Sequence, residues 1–294
     1  MGDSVVVEMG PAAKVSEDAS SKGSNLDTFD ATSGDGGTCR AGEKSPPKTR
    51  RPPFDISRRI VAEFVGTGLL VSTIIGSGIM GDALSSDDGV ALLGNTLATW
   101  GILFVLITVF GPVSGAHFNP VVTACFYCRR DPGMGSVLEV LGYVVAQFSG
   151  GILGALVAHG MFETGGYFDG KDRDTTGELF AEAVATFGLL VVIFGAIGVK
   201  EEKAIPMAVG LYITAGYWFT SSTSFANPAV TVARSFTNSF ASINPKSFGH
   251  YFAGQCIGFL VGLPFVQWMF ERKRPMDALA SLVRGGYAGD EKSS

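Results

Sequence analysis

The sequence predicts an all-α membrane protein with six transmembrane helices plus two re-entrant half-helices in an inverted repeat. Three observations predict it. The 294 residues are 46% hydrophobic and 17% charged, with 40 glycines, too apolar and Gly-rich for an ordinary water-soluble domain. Six long apolar segments stand at 60–80, 91–110, 137–162, 179–199, 204–219 and 248–270. Two Asn-Pro motifs interrupt them after the second and fifth segments: Asn119-Pro120-Val121 in "SGAHFNPVVTA" and Asn227-Pro228-Ala229 in "TSFANPAVTVAR".

In chain order, residues 1–53 are rich in Ser, Thr, Gly, Asp and Pro and end in "KSPPKTRRPP". Without hydrophobic periodicity they read as a disordered tail. The tail has no apolar run after Met1, so it is not a secretory signal, and its acidic residues argue against a transit peptide. Ser45 and Thr49 lie beside basic and Pro residues, as phosphorylation sites or as ordinary tail composition. Residues 54–270 form the membrane domain, in repeats of about 58–162 and 178–270, and 271–294 form a second polar tail.

Each Asn-Pro motif starts a helix, because Asn is a strong N-cap and Pro suits the first helical position, where an N–H has no partner to lose. Roughly ten residues follow before polar sequence resumes, about 15 Å of helix or half of a bilayer core of about 30 Å. Two half-helices meeting N-terminus to N-terminus place two positive dipole ends and two Asn amides at the membrane midplane. Such a site passes neutral polar solutes and opposes cations.

An even number of spans puts both tails on one side. Arg51, Arg58, Arg59, Arg129, Arg130, Lys200, Lys203, Arg272, Lys273 and Arg274 gather there, whereas Asp82, Asp87, Asp88, Asp169, Asp172 and Asp174 dominate the other side. Both termini are therefore expected in the cytoplasm, with the plasma membrane as the location. The halves also resemble each other: "AEFVGTGLLVSTIIG" from Ala62 pairs with "AEAVATFGLLVVIFG" from Ala181. Three spans per copy is an odd number, so the second copy is inverted.

Glu63 and Glu182 occupy matching places within the first and fourth spans. A carboxylate there is costly, so each is either part of an ion or proton relay or an acceptor bracing the non-helical backbone before a half-helix. His117 is a pH-sensing pore residue or a neutral wall residue with a hydrogen-bonded neighbour. His159 and His250 are expected at the outer interface. Val230 lies three residues after Asn227 and leaves its part of the entrance without charge. Arg234, one turn on, either reaches the pore or snorkels to the outer interface, and the second is the expectation. Cys125 and Cys128 read as small core-filling residues rather than redox or metal ligands, and with Cys39 in the tail and Cys256 in a span they make no disulfide or zinc framework. Glycines such as Gly68, Gly150, Gly154, Gly254 and Gly258 suit close helix crossings.

From about Arg58 to Phe270 the chain resembles the aquaporin (major intrinsic protein) family, through "AEFVGT", "SGAHFNP" and "NPAVTVAR" in inverted repeats. The resemblance implies Asn119 and Asn227 as midplane donors to the permeant, Glu63 and Glu182 as loop-bracing residues, and a homotetramer with one pore per subunit. The chain departs from the pattern twice, with Val121 in place of Ala and Val230 in place of the family's filter Arg. By offset from the motifs the other filter positions are Thr99, Ser224 and either Tyr217 or Ala215, with Tyr217 preferred. A Thr, Tyr, Ser and Val ring is wider and less polar than a water filter.

The function this implies is a passive channel for small uncharged solutes: water with glycerol, urea or metalloid hydroxides. A water-selective channel and a proton-coupled transporter stand as alternatives, as does a scaffolding role for the tail. No nucleophile–base pair or metal cluster points to an enzyme, no cofactor or metal is implied, and no basic face suggests nucleic acid. The expected partners are solutes, lipid and further copies of the chain.

Overall fold

A computed structural model describes residues 54–131 and 133–270. The expectations for residues 1–53 and 271–294, with Cys39, Ser45, Thr49, Arg51, Arg272, Lys273 and Arg274, lie outside the described residues. Among the described residues eight α-helices run in the order α1 (Ile56–Leu84), α2 (Asp88–Ser114), α3 (Pro120–Cys128), α4 (Val137–Phe162), α5 (Thr176–Gly198), α6 (Ile205–Phe219), α7 (Pro228–Ala233) and α8 (Phe248–Phe270). No strand occurs among the described residues. Of these described helices, five are long and apolar enough to cross a membrane: α1, α2, α4, α5 and α8, the last with the turn before it. At 15 residues α6 is shorter, starting after a 3-10 turn over Glu202–Ala204. The long helices outrun the apolar segments at several ends. α1 begins at the Asp55 cap, whose carboxylate accepts the Arg58 N–H, and α2 at the Asp87 cap, whose carboxylate accepts those of Gly89 and Val90.

α3 and α7 are the half-helices. Asn119 and Asn227 cap them, with Pro120 and Pro228 at the first helical position. α3 has nine residues. α7 has six and tightens into a 3-10 turn over Arg234–Phe236, so it falls short of the ten residues the sequence suggests. Ser235 completes the departure by donating its hydroxyl to the Val232 carbonyl at 2.7 Å.

The inverted repeat shows in the packing. α1 lies on α4 as α5 lies on α8, and both crossings are built on glycines one turn apart. A side chain at Gly150 meets the Phe64 carbonyl, and one at Gly154 meets the Gly68 carbonyl. At Gly254 and Gly258 it meets the Leu179 and Ala183 carbonyls. Between apolar helices in lipid, such backbone contact replaces the hydrophobic drive. Gly154→Leu is expected to force α1 and α4 apart at a cost of about 1–3 kcal/mol or more, read as a lowered melting midpoint in detergent. An unchanged midpoint would show that the crossing tolerates bulk.

The bundle has two ends. The tail-side end carries the start of α1 and the finish of α8, and the opposite end, here called distal, carries the α1–α2 and α4–α5 loops. Arg58, Arg130, Lys200 and Lys203 lie on the tail side as the charge pattern suggests. Arg59 lies there too, but buried: it donates Nε to the Tyr143 hydroxyl at 2.9 Å, bonds the Gly133 carbonyl and faces Glu139 at 3.6 Å. The distal end is more basic than its aspartates imply, because Lys171, Arg173, Arg234 and Lys246 also belong to it.

Candidate functional site

The loops entering α3 and α7 are held by one device used twice. Before each capping Asn the backbone turns left-handed at matching places: Gly115, Ala116 and Phe118 at φ 92°, 51° and 48°, and Thr223, Ser224 and Ala226 at 59°, 51° and 47°. For residues with a Cβ this costs about 1–2 kcal/mol each, so the surroundings must impose it. Two carboxylates do so. Glu63 Oε1 accepts the Ser114 hydroxyl at 2.6 Å and the His117 N–H at 3.0 Å, and its Oε2 accepts the Phe118 N–H at 2.7 Å and the Gln147 amide at 2.8 Å. Glu182 Oε1 accepts the Ser222 hydroxyl at 2.7 Å and the Phe225 N–H at 2.8 Å, and its Oε2 accepts the Ala226 N–H at 2.8 Å and the Gln255 amide at 2.7 Å. Both side chains are 0% exposed.

Around them the halves repeat residue for residue. Gln147 and Gln255 each donate a further bond, to the Thr123 and Thr231 hydroxyls at 3.0 Å. Tyr143 and Tyr251 donate to the Ser114 and Ser222 carbonyls at 2.8 and 3.2 Å. Sequence reasoning missed these six partners. The signal was a Tyr-x-x-x-Gln in α4 and another in α8, with a Ser before and a Thr after each Asn at equal spacing.

Where the half-helices meet, each Asn carbonyl oxygen caps its own helix. Asn119 Oδ1 accepts the Val121 N–H at 2.9 Å, and Asn227 Oδ1 accepts those of Ala229 and Val230 at 3.0 and 3.3 Å. Each Nδ2 crosses to the other loop: Asn119 donates to the Ala226 carbonyl and Asn227 to the Phe118 carbonyl, both at 2.8 Å. An amide nitrogen has two hydrogens, which leaves one N–H of each Asn for the cavity that both line.

That cavity, about 110 Å³, runs along the bundle past both Asn residues. Its tail-side half is walled by Phe126, Ile193, Ile197, Ile205 and Val209. His117 also lines it, with Nδ1 3.1 Å from the Thr123 hydroxyl and its ring stacked on Phe126 at 4.4 Å. At the distal end Thr99, Tyr217, Ser224 and Val230 converge, with the Thr99 and Tyr217 hydroxyls 3.3 Å apart. Ala215 is exposed on the outside of α6, so of the two α6 positions Tyr217 is the one on the wall. Ser224 Oγ is buried with no partner.

Four sequence expectations need correction. Arg234 does not snorkel: it is 3% exposed and lines the cavity beside Val230. Residues one turn apart share a helix face, so Arg234 follows Val230 inward, and the 3-10 turn seats its guanidinium 3.6 Å from the Phe225 ring centre with Nε bonded to the Ala241 carbonyl. The distal entrance is consequently cationic despite Val230. His159 is buried rather than interfacial, because the chain turns back over α4 and its ring nitrogen meets the Thr164 carbonyl at 3.0 Å. Cys128, at the end of α3, is exposed, while Cys125 one turn earlier is fully buried.

The family model described as "Major intrinsic protein" matches residues 50–224, more than half of the chain. The chain belongs to the major intrinsic protein family. This major intrinsic protein is 46% identical over 229 residues to aquaglyceroporin AqpS of Rhizobium meliloti, covering 76% of this chain and 94% of that one. It is 29% identical over 245 residues to aquaporin PIP2-7 of Arabidopsis thaliana, covering 76% and 84%. Among solved structures, the aquaglyceroporin from Plasmodium falciparum superposes with a TM-score of 0.55 at 19% identity, over 78% of this chain and all of the other. That likeness is one of fold: an aquaporin-like helical membrane protein.

Proposed function

We propose that the protein is a passive membrane channel for water and small uncharged solutes such as glycerol. One observation carries this reading: a cavity passes both Asn amides and, among the described residues, has no carboxylate in its wall. A neutral polyol finds donors at Asn119 and Asn227, hydroxyls at Thr99, Tyr217 and Ser224, and aliphatic wall for its carbon face. A cation meets the positive ends of α3 and α7 and then Arg234. Resemblance to chains named aquaglyceroporins supports glycerol as a solute.

The finer reading follows from the same wall. Thr99, Tyr217, Ser224 and Val230 form the filter, and Val230, lacking a side chain that reaches across, leaves room for urea or undissociated metalloid hydroxides. His117 is a wall residue, and Glu63 and Glu182 are loop braces. Their burial, with four accepted hydrogen bonds each, speaks against a proton relay and so against a coupled transporter. The tail-side end faces the cytoplasm of a plasma membrane, four copies associate with one pore each, and the chain is a channel rather than an enzyme.

Stopped-flow light scattering of proteoliposomes tests the reading: both water and glycerol permeability are expected above protein-free vesicles, and water flux without any solute flux would overturn it. Val230→Arg is expected to lower glycerol permeability by about tenfold while water continues to pass, since a guanidinium fills the ring and repels Arg234 one turn away. Unchanged glycerol flux in that variant would place selectivity elsewhere.

A further inference from the structure

At the distal end a second pocket of about 290 Å³ shares Tyr217 and Arg234 with the cavity. Its wall brings together Lys171, Arg173 and Arg234 against a single carboxylate, Asp88. The three cations are not spent on one another's neighbours, for among the described residues none of them makes an ion pair. Each is instead fixed by uncharged groups. Arg234 rests on Phe225 and the Ala241 carbonyl, and Arg173 donates Nε to the Ser242 carbonyl at 3.1 Å with its guanidinium 5.4 Å from the same Phe225 ring. Lys171 lies 4.4 Å from the Phe240 ring centre. Thr223, also on the wall, has a buried hydroxyl with no partner.

Arg173 also bonds the Tyr251 hydroxyl, but a guanidinium carries five N–H donors, so both arginines keep donors in a fork that suits carboxylate and phosphate oxygens. We propose that this pocket binds a small oxyanion, a carboxylate or inorganic phosphate, between Arg234, Arg173 and Lys171. Because Arg234 belongs to both spaces, an ion seated there stands over the pore and slows neutral solutes. It does not follow them through: the aliphatic tail-side wall offers a naked anion no replacement for its water. The blocking effect rests on the channel reading, whereas the binding does not.

The test combines flux with direct binding. Glycerol permeability of proteoliposomes is measured with sodium phosphate, and separately sodium acetate, on both sides, against sodium chloride at equal ionic strength. Purified protein in detergent is titrated with the same salts by calorimetry. A saturating fall in glycerol permeability and a saturating heat are expected with phosphate or acetate, the two arms telling a tetrahedral from a planar oxyanion. Lys171→Gln, an exposed position, is expected to raise the half-blocking concentration roughly threefold to tenfold, and Asp88→Asn to lower it by a similar factor. An equal effect of chloride, a midpoint unmoved by both substitutions, or no heat with either oxyanion would overturn the site. Absence of glycerol flux before any anion is added would instead defeat the channel reading and leave the calorimetry to decide the binding.

Discussion

Glu182→Leu is expected to abolish the folded protein rather than to tune it. The substitution strips acceptors from the Ser222 hydroxyl, the Phe225 and Ala226 N–H groups and the Gln255 amide at once. A buried donor left without a partner costs about 1–3 kcal/mol, so four of them rival a whole domain's stability of about 5–15 kcal/mol. The left-handed residues Ser224 and Ala226 also lose what holds them. The expected results are aggregation in detergent size-exclusion chromatography and no water flux. Glu182→Gln keeps one oxygen but points an amide at other donors, so a reduced melting midpoint with partial flux is expected. A native melting curve for the Leu variant would refute the bracing role. Glu63→Leu is expected to behave alike, because its four donors are the equivalents of these.

Arg234→Leu is expected to leave the fold in place and to weaken the barrier to cations. Leu keeps the packing against Phe225, while a unit charge disappears from the distal end of the cavity. At an effective dielectric of about 20 and a separation of about 5 Å, that charge repels a passing monovalent cation by about 3 kcal/mol. Water in the pore screens part of this, so cation leak should rise by roughly one to two orders of magnitude. Proton and sodium leak into dye-loaded proteoliposomes provide the measurement, with glycerol flux as the control for a folded pore. Leak equal to that of the unaltered protein would assign the whole barrier to the half-helix dipoles. An Arg at the vacated Val230 position and one at 234 therefore differ in kind: the first narrows the ring, the second charges its rim.

The helices were legible because their signals are local or periodic. Segments 137–162 and 248–270 coincide with α4 and α8 to the residue, since a glycine- and aliphatic-rich run bounded by polar residues leaves little freedom in lipid. The capping Asn and Pro announced α3 and α7 for the same reason. The acceptors' partners were harder to see. Gln147 and Gln255 sit in other helices, and a lone Gln in a span announces a need for a partner without naming it. Arg234 was misread through a different error: a long charged side chain near an interface was assigned to water, although the turn it shares with Val230 already aimed it inward. His159 is similar, its burial decided by a loop that turns back over the helix.

The crossed amides between the half-helices also bear on the order in which the molecule can be finished. Asn119 emerges with the first half of the chain, yet its acceptor is the Ala226 carbonyl, and the Phe118 carbonyl must wait for Asn227. Until α6 and the loop after it are in the membrane, the first half-helix has its brace at Glu63 but no counterpart at its tip. The centre of the pore is thus not a property of either repeat. It is a latch that closes late in biosynthesis, when the second copy reaches back to the first.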